Sequence, residues 1–304
     1  MIYLNDQQVR DVLQDAAANQ QLLAQAFKDA HQEQAAQLSR QRIEAQGVKL
    51  SALAAVIPNQ GVAGAKVYTT IQGRFTFVII LFSTDTGAVL AVMDAEEITK
   101  KRTAACSVLM AQYFATPVPK KLALLGFGVQ GQEHLLQFIQ AYDFDEIHIV
   151  SSQIDKSRLK ALQQQARAEL VVMAEAELAV QHADIVVTAS RATQPIVAGR
   201  WLKAGAFVAA IGSSLPTTRE LDDEVIKKAS TIIVESKQQA FQEAGDLVLS
   251  AHLNPINKTQ SVGEVLLNGK EDFKAEGVVL YKAVGVALED IALAGLAYKN
   301  HIKK

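Results

Sequence analysis

The stretch KLALLGFGVQG, residues 121–131, joins a short apolar run to three closely spaced glycines. Such a run is typical of a strand buried in a parallel sheet, and the segment that follows, QGQEHLLQFIQAY, has helical periodicity. The glycines match the G-x-G-x-x-G pattern, in which Gly126 permits a tight turn, Gly128 lets a phosphate approach the backbone and Gly131 lets the helix pack on the strand. A strand, a glycine loop and a helix in this order predict a dinucleotide site, with the pyrophosphate at the start of the helix.

Further strands follow this loop at intervals. Short apolar runs separated by helical segments recur downstream, and they read EIHIVS, DIVVTAS, AFVAAIG and TIIVES. This alternation predicts a doubly wound parallel sheet with helices on both faces. We therefore expect an α/β protein with a Rossmann NAD(P)-binding domain over residues 118–277. After it, one long amphipathic helix is predicted from Val278 to Asn300.

The chain before residue 118 has a different pattern. Its first forty residues have helical spacing, whereas residues 39–95 are rich in the residue types that favour strands. A helix is predicted over residues 99–115, and two prolines close it. We expect these elements to form an α+β domain that is discontinuous because the C-terminal helix packs back on it. Its predicted extent is residues 1–117 and 278–304.

Composition limits the possible partners and cofactors. The 304 residues include 30 basic and 32 acidic side chains, so no overall field would recruit nucleic acid or an anionic membrane. The one cysteine, Cys106, cannot form an internal disulfide, which suits a reducing compartment. The first residues lack the pattern of a secretion signal, and no apolar run reaches the length that crosses a bilayer. The six histidines show no metal-ligand spacing. We expect a cytoplasmic protein with no metal.

The end of the second strand of the α/β domain bears on cofactor choice. Sites that prefer NAD usually place an acidic side chain there, where it binds the adenosine ribose. This sequence has Ser151 and Ser152 instead, with Lys156 and Arg158 just beyond. Small hydroxyls leave room for a 2′-phosphate, so the sequence favours NADPH and leaves NADH open. The alternative is that these serines merely cap the next helix.

Three consecutive cations lie where the predicted helix at Thr99 begins: Lys100, Lys101 and Arg102. Positive charge at a helix N-terminus opposes the helix dipole by roughly 0.3–1 kcal/mol per charge. A bound carboxylate would offset that cost. The pattern by itself leaves two interpretations open, an anion site and a solvated basic patch.

Five motifs occur together and in order: AKVYTT, ITKKRTAA, GFGVQG, RELDDE and VGVALEDIA. In this order they resemble the ornithine cyclodeaminase/mu-crystallin family, and the similarity runs through almost the whole chain. The resemblance implies a homodimer whose N-terminal domain binds substrate, mediates dimerisation and is completed by the C-terminal helix. It also implies a Rossmann domain that binds NAD(H) or NADP(H), and substrates that are small amino acids or cyclic imino acids.

The resemblance also implies site residues. The cations that bind the substrate carboxylate fall on Arg42, Lys66 and Arg102, with Arg40 as an alternative to Arg42 on the same strand face. Two forked guanidinium groups and one ammonium would bind and orient a small carboxylate. Lys66 and Arg102 are also the implied catalytic residues. The implied cofactor contacts are Thr103, Gly126, Gly128, Val129, Gln130, Ser151, Ser152, Thr188, Ala189, Ile211, Gly212, Ser213 and Val284.

One position departs from the cyclodeaminase pattern. In the ornithine cyclodeaminases of the family that this chain resembles, an aspartate at this position transfers protons and positions water. This chain has Ser214 there. A serine hydroxyl cannot replace a carboxylate base unless another base activates it. The following segment, SLPTTRELDDE, is similar to the ketimine reductase branch instead. Ser214 is then expected to hydrogen-bond the substrate or the cofactor.

The acidic residues that follow Ser214 are expected to have a structural role. Thr217 and Glu220 have capping-box spacing, and the acids at 222–224 suit the first turn of a helix. The resemblance to the ketimine reductase branch implies, as the first-choice function, NAD(P)H-dependent reduction of a cyclic imino acid, 1-pyrroline-2-carboxylate to L-proline, with 1-piperideine-2-carboxylate to L-pipecolate as a related activity. The alternatives are ornithine cyclodeaminase, alanine dehydrogenase and a non-catalytic, crystallin-like binding protein.

Overall fold

The computed structural model describes residues 1–269 and 277–303. The chain divides into two compact units, one formed by Met1–Ala105 with Gly285–Lys304 and the other by Cys106–Val284. The first unit is discontinuous, and the division falls inside a helix at residue 105 and just before the C-terminal helix at residue 285. The sequence had placed these boundaries at residues 117 and 278. No helix in the described ranges is long and apolar enough to cross a membrane.

The first unit contains a six-stranded sheet. Its strands are β1 (Ile2–Leu4), β2 (Ala36–Ala45), β3 (Val48–Ile57), β4 (Val62–Ile71), β5 (Arg74–Ser83) and β6 (Val89–Asp94). They lie in the order β1-β6-β5-β4-β3-β2, antiparallel except for the parallel β1–β6 pair at one edge. The predicted β-rich region is confirmed. The expectation that the first forty residues are helical is wrong at both ends, because β1 precedes the helices and β2 begins at Ala36.

Three helices belong to the N-terminal part of the chain: α1 (Asp6–Val12), α2 (Ala16–His31) and α3 (Glu96–Phe114). Helix α3 starts three residues earlier than the sequence suggested, and its first turn carries Glu96 and Glu97, which suit the dipole. The prediction of cations at this helix N-terminus is therefore wrong. Lys100, Lys101 and Arg102 lie in the second turn, where the dipole effect has faded, so another cause must place them there.

The second unit alternates strands and helices, as the sequence predicted. Its strands are β7 (Lys121–Leu125), β8 (Glu146–Val150), β9 (Leu170–Met173), β10 (Ile185–Thr188), β11 (Phe207–Ala210), β12 (Ala229–Val234), β13 (Thr259–Ser261) and β14 (Val278–Lys282). Its helices are α4 (Val129–Ala141), α5 (Lys156–Gln163), α6 (Ala176–Val180), α7 (Asp223–Lys228), α8 (Lys237–Glu243), α9 (Gly245–Val248) and α10 (Val262–Asn268). All strand pairs are parallel, in the order β13-β12-β14-β11-β10-β7-β8-β9.

The strand order reverses between β7 and β10. In an open parallel sheet, ligands bind in the crevice at the carboxyl ends of the strands beside such a reversal. The glycine loop follows β7, and the segment starting at Ala189 follows β10, so both loops border this crevice. The α/β fold predicted from the sequence is confirmed.

The C-terminal segment differs from its prediction. Instead of one helix from Val278, the chain forms β14 in the middle of the parallel sheet and then a helix, α11 (Ala287–Ile302). A short apolar run has the same appearance in a buried strand and in a buried helix, which explains the error. Helix α11 packs on the inner face of the first unit's sheet, where Leu53, Ile79 and Leu81 are at most 1% exposed.

Candidate active site

The glycine loop of the second unit has the geometry of a phosphate site. Gly126 has a φ of +103°, and a side chain there would collide with the carbonyl of Ala189 in the loop after β10. A side chain at Gly131 would collide with the Gly126 carbonyl. In contrast, a Cβ on Gly128 would meet nothing within 4 Å, so this glycine borders open space. The tight turn at Gly126 and the close packing at Gly131 match the roles predicted from the sequence, and the approach of a phosphate at Gly128 stays a prediction.

Helix α4 begins immediately after this loop, with Gly128 as its N-cap. Within the described chain, no side chain caps its first turn. The first backbone N–H groups of a helix lack intrahelical acceptors, so they are suited to an anion. Val129 is half exposed here and Gln130 lies beside it. These residues fit a pyrophosphate, and a bound dinucleotide would bring a hydride donor or acceptor to this edge of the sheet.

Ser151 and Ser152 follow β8, as expected. The Ser151 hydroxyl accepts a hydrogen bond from the Phe127 N–H at 3.3 Å and donates to the Gln153 carbonyl at 2.8 Å. Ser151 therefore braces the glycine loop, whereas Ser152 is exposed. Neither serine caps α5, because the cap of that helix is Asp155. The alternative role of these serines as helix caps is wrong.

The remaining cofactor candidates occupy several loops. Thr188 ends β10 and is followed by Ala189, while Ile211, Gly212 and Ser213 follow β11. Val284 follows β14, and its N–H donates to Glu235 at 2.8 Å. Thr103 lies on α3 in the first unit, where its hydroxyl donates to the Thr99 carbonyl at 2.7 Å. The structure thus places all but Thr103 in the second unit, at the carboxyl edge of its sheet.

A buried group of charges in the first unit surrounds Lys66. The Lys66 ammonium donates to Thr99 Oγ1 at 2.6 Å and to Asp290 Oδ1 at 3.0 Å, and it lies 4.6 Å from the centre of the Phe77 ring. Its side chain is 2% exposed. Among the described residues these two bonds use two of the three ammonium protons, which leaves one for a ligand.

Arg102 belongs to the same group. Its Nε donates to Asp290 Oδ1 at 3.2 Å and its Nη1 donates to Glu289 Oε2 at 2.5 Å. Both acids lie in the first turn of α11, and their side chains are fully buried. Gly285, just before this helix, has a φ of +76°, and a side chain there would press on the Arg102 guanidinium. Pairing with buried acids, rather than the dipole of α3, explains why this cation is placed in its helix.

Burial controls the protonation of Lys66. Loss of hydration lowers the pKa of Lys66 from 10.5 to about 8, against the opposing attraction of Asp290. The charge of Arg102 lowers this pKa further. An ammonium whose pKa lies this close to neutral pH can bind a carboxylate, and it can also lose its proton within the pH range in which enzymes work.

The two candidate arginines of β2 have different surroundings. A bulge in the β2–β3 pairing places Ser39 and Arg40 opposite Leu53, whose partner on the next strand is Lys66. Arg40 Nη2 donates to the Gly285 carbonyl at 2.8 Å, and its charge acts on Lys66. Arg42 is exposed, and its Nε donates to Ser51 Oγ at 3.3 Å. The structure brings Arg40 together with Lys66 and Arg102, while the sequence-based assignment to Arg42 stays a prediction.

The loop after β11 carries Ser214. Its neighbour Ser213 is buried and donates to the Thr218 carbonyl at 2.5 Å, so Ser213 shapes the loop. Ser214 is partly exposed. From Ile211 to Arg219 the sequence has no acidic residue, and the next acid along the loop, Glu220, is fully buried.

Glu220 does not have the role that its spacing suggested. Helix α7 is capped by Asp222, whose side chain accepts from the Val225 N–H, so the predicted capping box of Thr217 and Glu220 is wrong. The prediction of acids in the first turn is confirmed for Asp223 and Glu224. Cys106 is buried.

The sequence reasoning missed the acids that hold the cations. Glu289 and Asp290 stand in the otherwise apolar stretch 287–297 of α11, and a charged side chain in such a stretch is rarely buried unless it is paired. That contrast was the available signal, although it could not identify the partners.

Comparisons with known proteins show which family this chain is similar to. The ornithine cyclodeaminase/mu-crystallin family profile matches residues 64–304. The ketimine reductase mu-crystallin of Rattus norvegicus is 34% identical over 222 residues, 73% of this chain and 68% of the relative. A Delta(1)-pyrroline-2-carboxylate reductase of Bacillus cereus (strain ZK / E33L) is 27% identical over 268 residues, 86% of this chain and 79% of the relative. The solved structure of a probable ornithine cyclodeaminase from Bordetella pertussis Tohama I has a TM-score of 0.94 at 46% identity, covering 99% of this chain and 96% of that chain.

Proposed function

The chain belongs to the ornithine cyclodeaminase/mu-crystallin family, and from this membership we propose that it is an NAD(P)H-dependent oxidoreductase that reduces the C=N bond of a small cyclic imino acid. The proposed reaction is 1-pyrroline-2-carboxylate to L-proline, with 1-piperideine-2-carboxylate to L-pipecolate as a related activity. The relatives named as ketimine reductase and pyrroline-2-carboxylate reductase support this reaction class.

The charge balance around Lys66 carries the proposal. Of the described side chains that share these contacts, Arg40, Lys66 and Arg102 are cations, and Glu289 and Asp290 are their counter-charges. These contacts concentrate positive charge around a buried ammonium that keeps one N–H for a ligand, and an anion bound there would be stabilised. A single substrate carboxylate provides that anion.

The substrate's other charges distinguish the candidate reactions. The cyclic imino acid brings a carboxylate and at most one positive charge, on its ring nitrogen. Ornithine brings two ammonium groups, and the second would be repelled by the cations Arg40, Lys66 and Arg102. The cluster therefore favours the imino acid over a diamino acid.

The residues then have distinct tasks. The remaining N–H of Lys66 and the forked donors of Arg102 bind and orient the carboxylate, which fixes the position of the adjacent C=N carbon. A bound nicotinamide would supply the hydride for this carbon. The product nitrogen gains one proton, so the reaction consumes the imine, one reduced cofactor and one proton. No water molecule is split, and no carboxylate base is needed at Ser214.

Ornithine cyclodeamination is the second candidate, because a solved structure with that name is 46% identical to this chain. That reaction must expel ammonia and add water, which the cyclodeaminase aspartate is expected to manage. The segment from Ile211 to Arg219, which includes Ser214, has no carboxylate. This absence supports the reductase.

The sheet of the first unit supports a homodimer. Its inner face is covered by α11, while its outer face carries half-exposed apolar side chains such as Leu50, Val56 and Ile80. Between them lie the paired residues Ala54 and Ala65, with Ala65 also paired to Ile80. A flat apolar face of this kind suits a second copy of the same sheet.

Two further proposals concern the preferred cofactor and the location in the cell. We propose NADPH as the preferred cofactor, since Ser151 and Ser152 stand where a carboxylate would repel a 2′-phosphate. We also propose a cytoplasmic location, because a chain with one cysteine cannot form an internal disulfide and the reaction consumes a reduced cofactor.

A substrate screen tests the function. Purified protein is mixed with NADH or NADPH and each cyclic imine, and separately with NAD⁺ and L-ornithine or L-alanine. The oxidation state of the cofactor and the release of ammonia are measured in each mixture. We expect cofactor oxidation and proline formation, with little ammonia from ornithine. Ser214→Ala should cost about a single hydrogen bond, on the order of 1 kcal/mol. Ammonia released from ornithine as fast as the imine is reduced would refute the proposal.

A further inference from the structure

The Glu220 carboxylate lies fully buried between two loops at the carboxyl edge of the parallel sheet. From the end of β10 and the loop after it, Thr188 Oγ1 donates to Oε2 at 2.8 Å, and the Ser190 N–H and hydroxyl donate to Oε1 at 2.8 and 2.7 Å. From the loop after β11, the Gly212 N–H donates to Oε2 at 2.7 Å. One side chain thus ties two loops together.

The backbone at Glu220 is held equally firmly. The N–H groups of Glu220 and Leu221 both donate to Asp246 Oδ1, at 2.8 and 2.9 Å. The other oxygen of Asp246 lies 3.0 Å from the Lys282 ammonium, which also donates to the Ala210 carbonyl at 3.1 Å. Lys282 ends β14 and Ala210 ends β11, so this chain of contacts anchors Glu220 to the sheet itself.

The spacing of the two loops depends on this carboxylate. A side chain at Gly212 would collide both with the Ser190 carbonyl and with Glu220 Oε1, so the loops approach as closely as glycine allows. Each oxygen of Glu220 accepts two hydrogen bonds. An amide could not replace it, because its NH₂ group would face N–H or O–H donors on one side.

We infer that Glu220 is a positioning residue for the nicotinamide half of the cofactor, since it sets the distance between the loops that follow β10 and β11. This inference rests on the proposed use of NADH or NADPH. In an open parallel sheet the dinucleotide crosses the carboxyl edge at the strand-order reversal, here between β7 and β10. The glycine loop after β7 would then bind the pyrophosphate. The loops joined by Glu220 follow β10 and β11, which lie on the opposite side of β7 from β8.

Equilibrium binding to the Glu220→Gln variant provides the test. NADH and NADPH are titrated by their fluorescence, and ADP-ribose or its 2′-phosphate, which lack nicotinamide, by calorimetry. We expect the Kd of the reduced cofactor to rise at least tenfold while that of the matching ADP-ribose changes less than twofold. Glu224→Gln makes the same charge change four residues away on a half-exposed side chain, and should leave every Kd unchanged.

A loss of fold must be separated from a loss of positioning. Ser190→Ala removes one of the four bonds to Glu220 without adding a donor, and should weaken NADH or NADPH binding threefold to tenfold at an unchanged melting temperature. Equal weakening of cofactor and ADP-ribose would show that Glu220 only supports the fold, and unchanged binding would show that the loops hold without it. Either result overturns the inference, as would wild-type protein that binds neither cofactor. Wild-type protein that binds cofactor and reduces no imine would refute the proposed function and leave this inference standing.

Discussion

Lys66 and Asp290 form a buried ion pair although 224 residues separate them in sequence. Their side chains are 2% and 0% exposed, and Nζ lies 3.0 Å from Oδ1. The same oxygen accepts from Arg102, so one carboxylate fixes both cations of the proposed substrate site. The start of α11 is therefore part of that site.

Removal of the negative charge of Asp290 should weaken the site without emptying it. Asp290→Asn keeps an oxygen that can accept from Lys66 and Arg102, but it removes the negative charge that both cations face and favours neutral Lys66. We expect kcat/KM for the imine to fall about tenfold or more at neutral pH, while the Kd of NAD(P)H stays constant. Glu44→Gln, at an exposed position on β2, is the control. Unchanged kinetics in Asp290→Asn would show that the pair is only structural.

Arg40 and Arg42 can be separated by matched substitutions. Arg40 contacts Gly285 beside the cluster, and Arg42 contacts Ser51. We expect Arg40→Ala to raise the KM for the imine more than Arg42→Ala does, because a charged hydrogen bond contributes about 1.5–3 kcal/mol. Steady-state kinetics of both variants decide the question. A larger effect at Arg42 would favour the assignment made from sequence.

The Lys66 ammonium should set the alkaline limit of activity. Its pKa is lowered to about 8 by burial, so above that pH the folded protein loses the proton and with it the charge that binds the carboxylate. We expect kcat/KM to fall as pH rises through 8. Lys66→Arg should be slower, yet its profile should stay flat there, because a guanidinium remains charged. The substrate has the same pKa in assays of the wild-type protein and of the variant. If kcat/KM falls with rising pH in the same way for both, the group that titrates is the substrate or another residue.

Arg102 should tolerate a change of shape poorly. Arg102→Lys keeps the charge between Glu289 and Asp290 but loses the forked donors, so we expect a tenfold to a few hundredfold fall in kcat/KM, from about 1.5–3 kcal/mol of lost bonding. Lys101→Ala, one residue earlier on α3, serves as the matched control. If Arg102→Lys has a lower melting temperature but keeps full activity, Arg102 is structural and the substrate binds elsewhere.

Cofactor choice is best probed at Ser152. Ser151 braces the glycine loop through Phe127, so its substitution would disturb the loop, whereas Ser152 is exposed at the end of β8. We expect Ser152→Asp to lower kcat/KM with NADPH at least tenfold more than with NADH, because the new carboxylate repels the 2′-phosphate. The ratio of the two cofactors measures this directly. An unchanged ratio would remove the argument from this strand.

His134 gives a prediction for stability. Burial lowers the pKa of His134 from 6.5 to about 4, and its Nε2 lies 3.0 Å from Ser107 Oγ. Between these pH values the unfolded chain binds a proton that the folded protein does not. Stability should therefore fall as pH falls from 6.5 towards 4, by about 3 kcal/mol in full. His134→Gln lacks this titration, so its melting temperature should depend less on pH; parallel curves would contradict the assignment.

Local requirements of the backbone made parts of the site readable in the sequence. The turn and the helix start at the glycine loop were predicted correctly, because Gly126 is needed by a turn of positive φ and Gly131 by a close backbone contact within six residues. The alternation of short apolar runs with helical segments likewise predicted the parallel sheet. Segments 278–282 and 217–220 were misread, since a buried strand resembles a buried helix and a chance spacing resembles a cap.

The sequence by itself determined the α/β fold class, the phosphate loop and the cations Lys66 and Arg102 as candidates, because each depends on neighbouring residues or on a motif. Only the tertiary structure decided which groups surround them. Asp290 reaches Lys66 from the far end of the chain, a bulge turns Arg40 towards the cluster, and Glu220 joins two loops. The physical reason is that a buried charge is stable only with a partner, and that partner is chosen by packing in space rather than by distance along the chain.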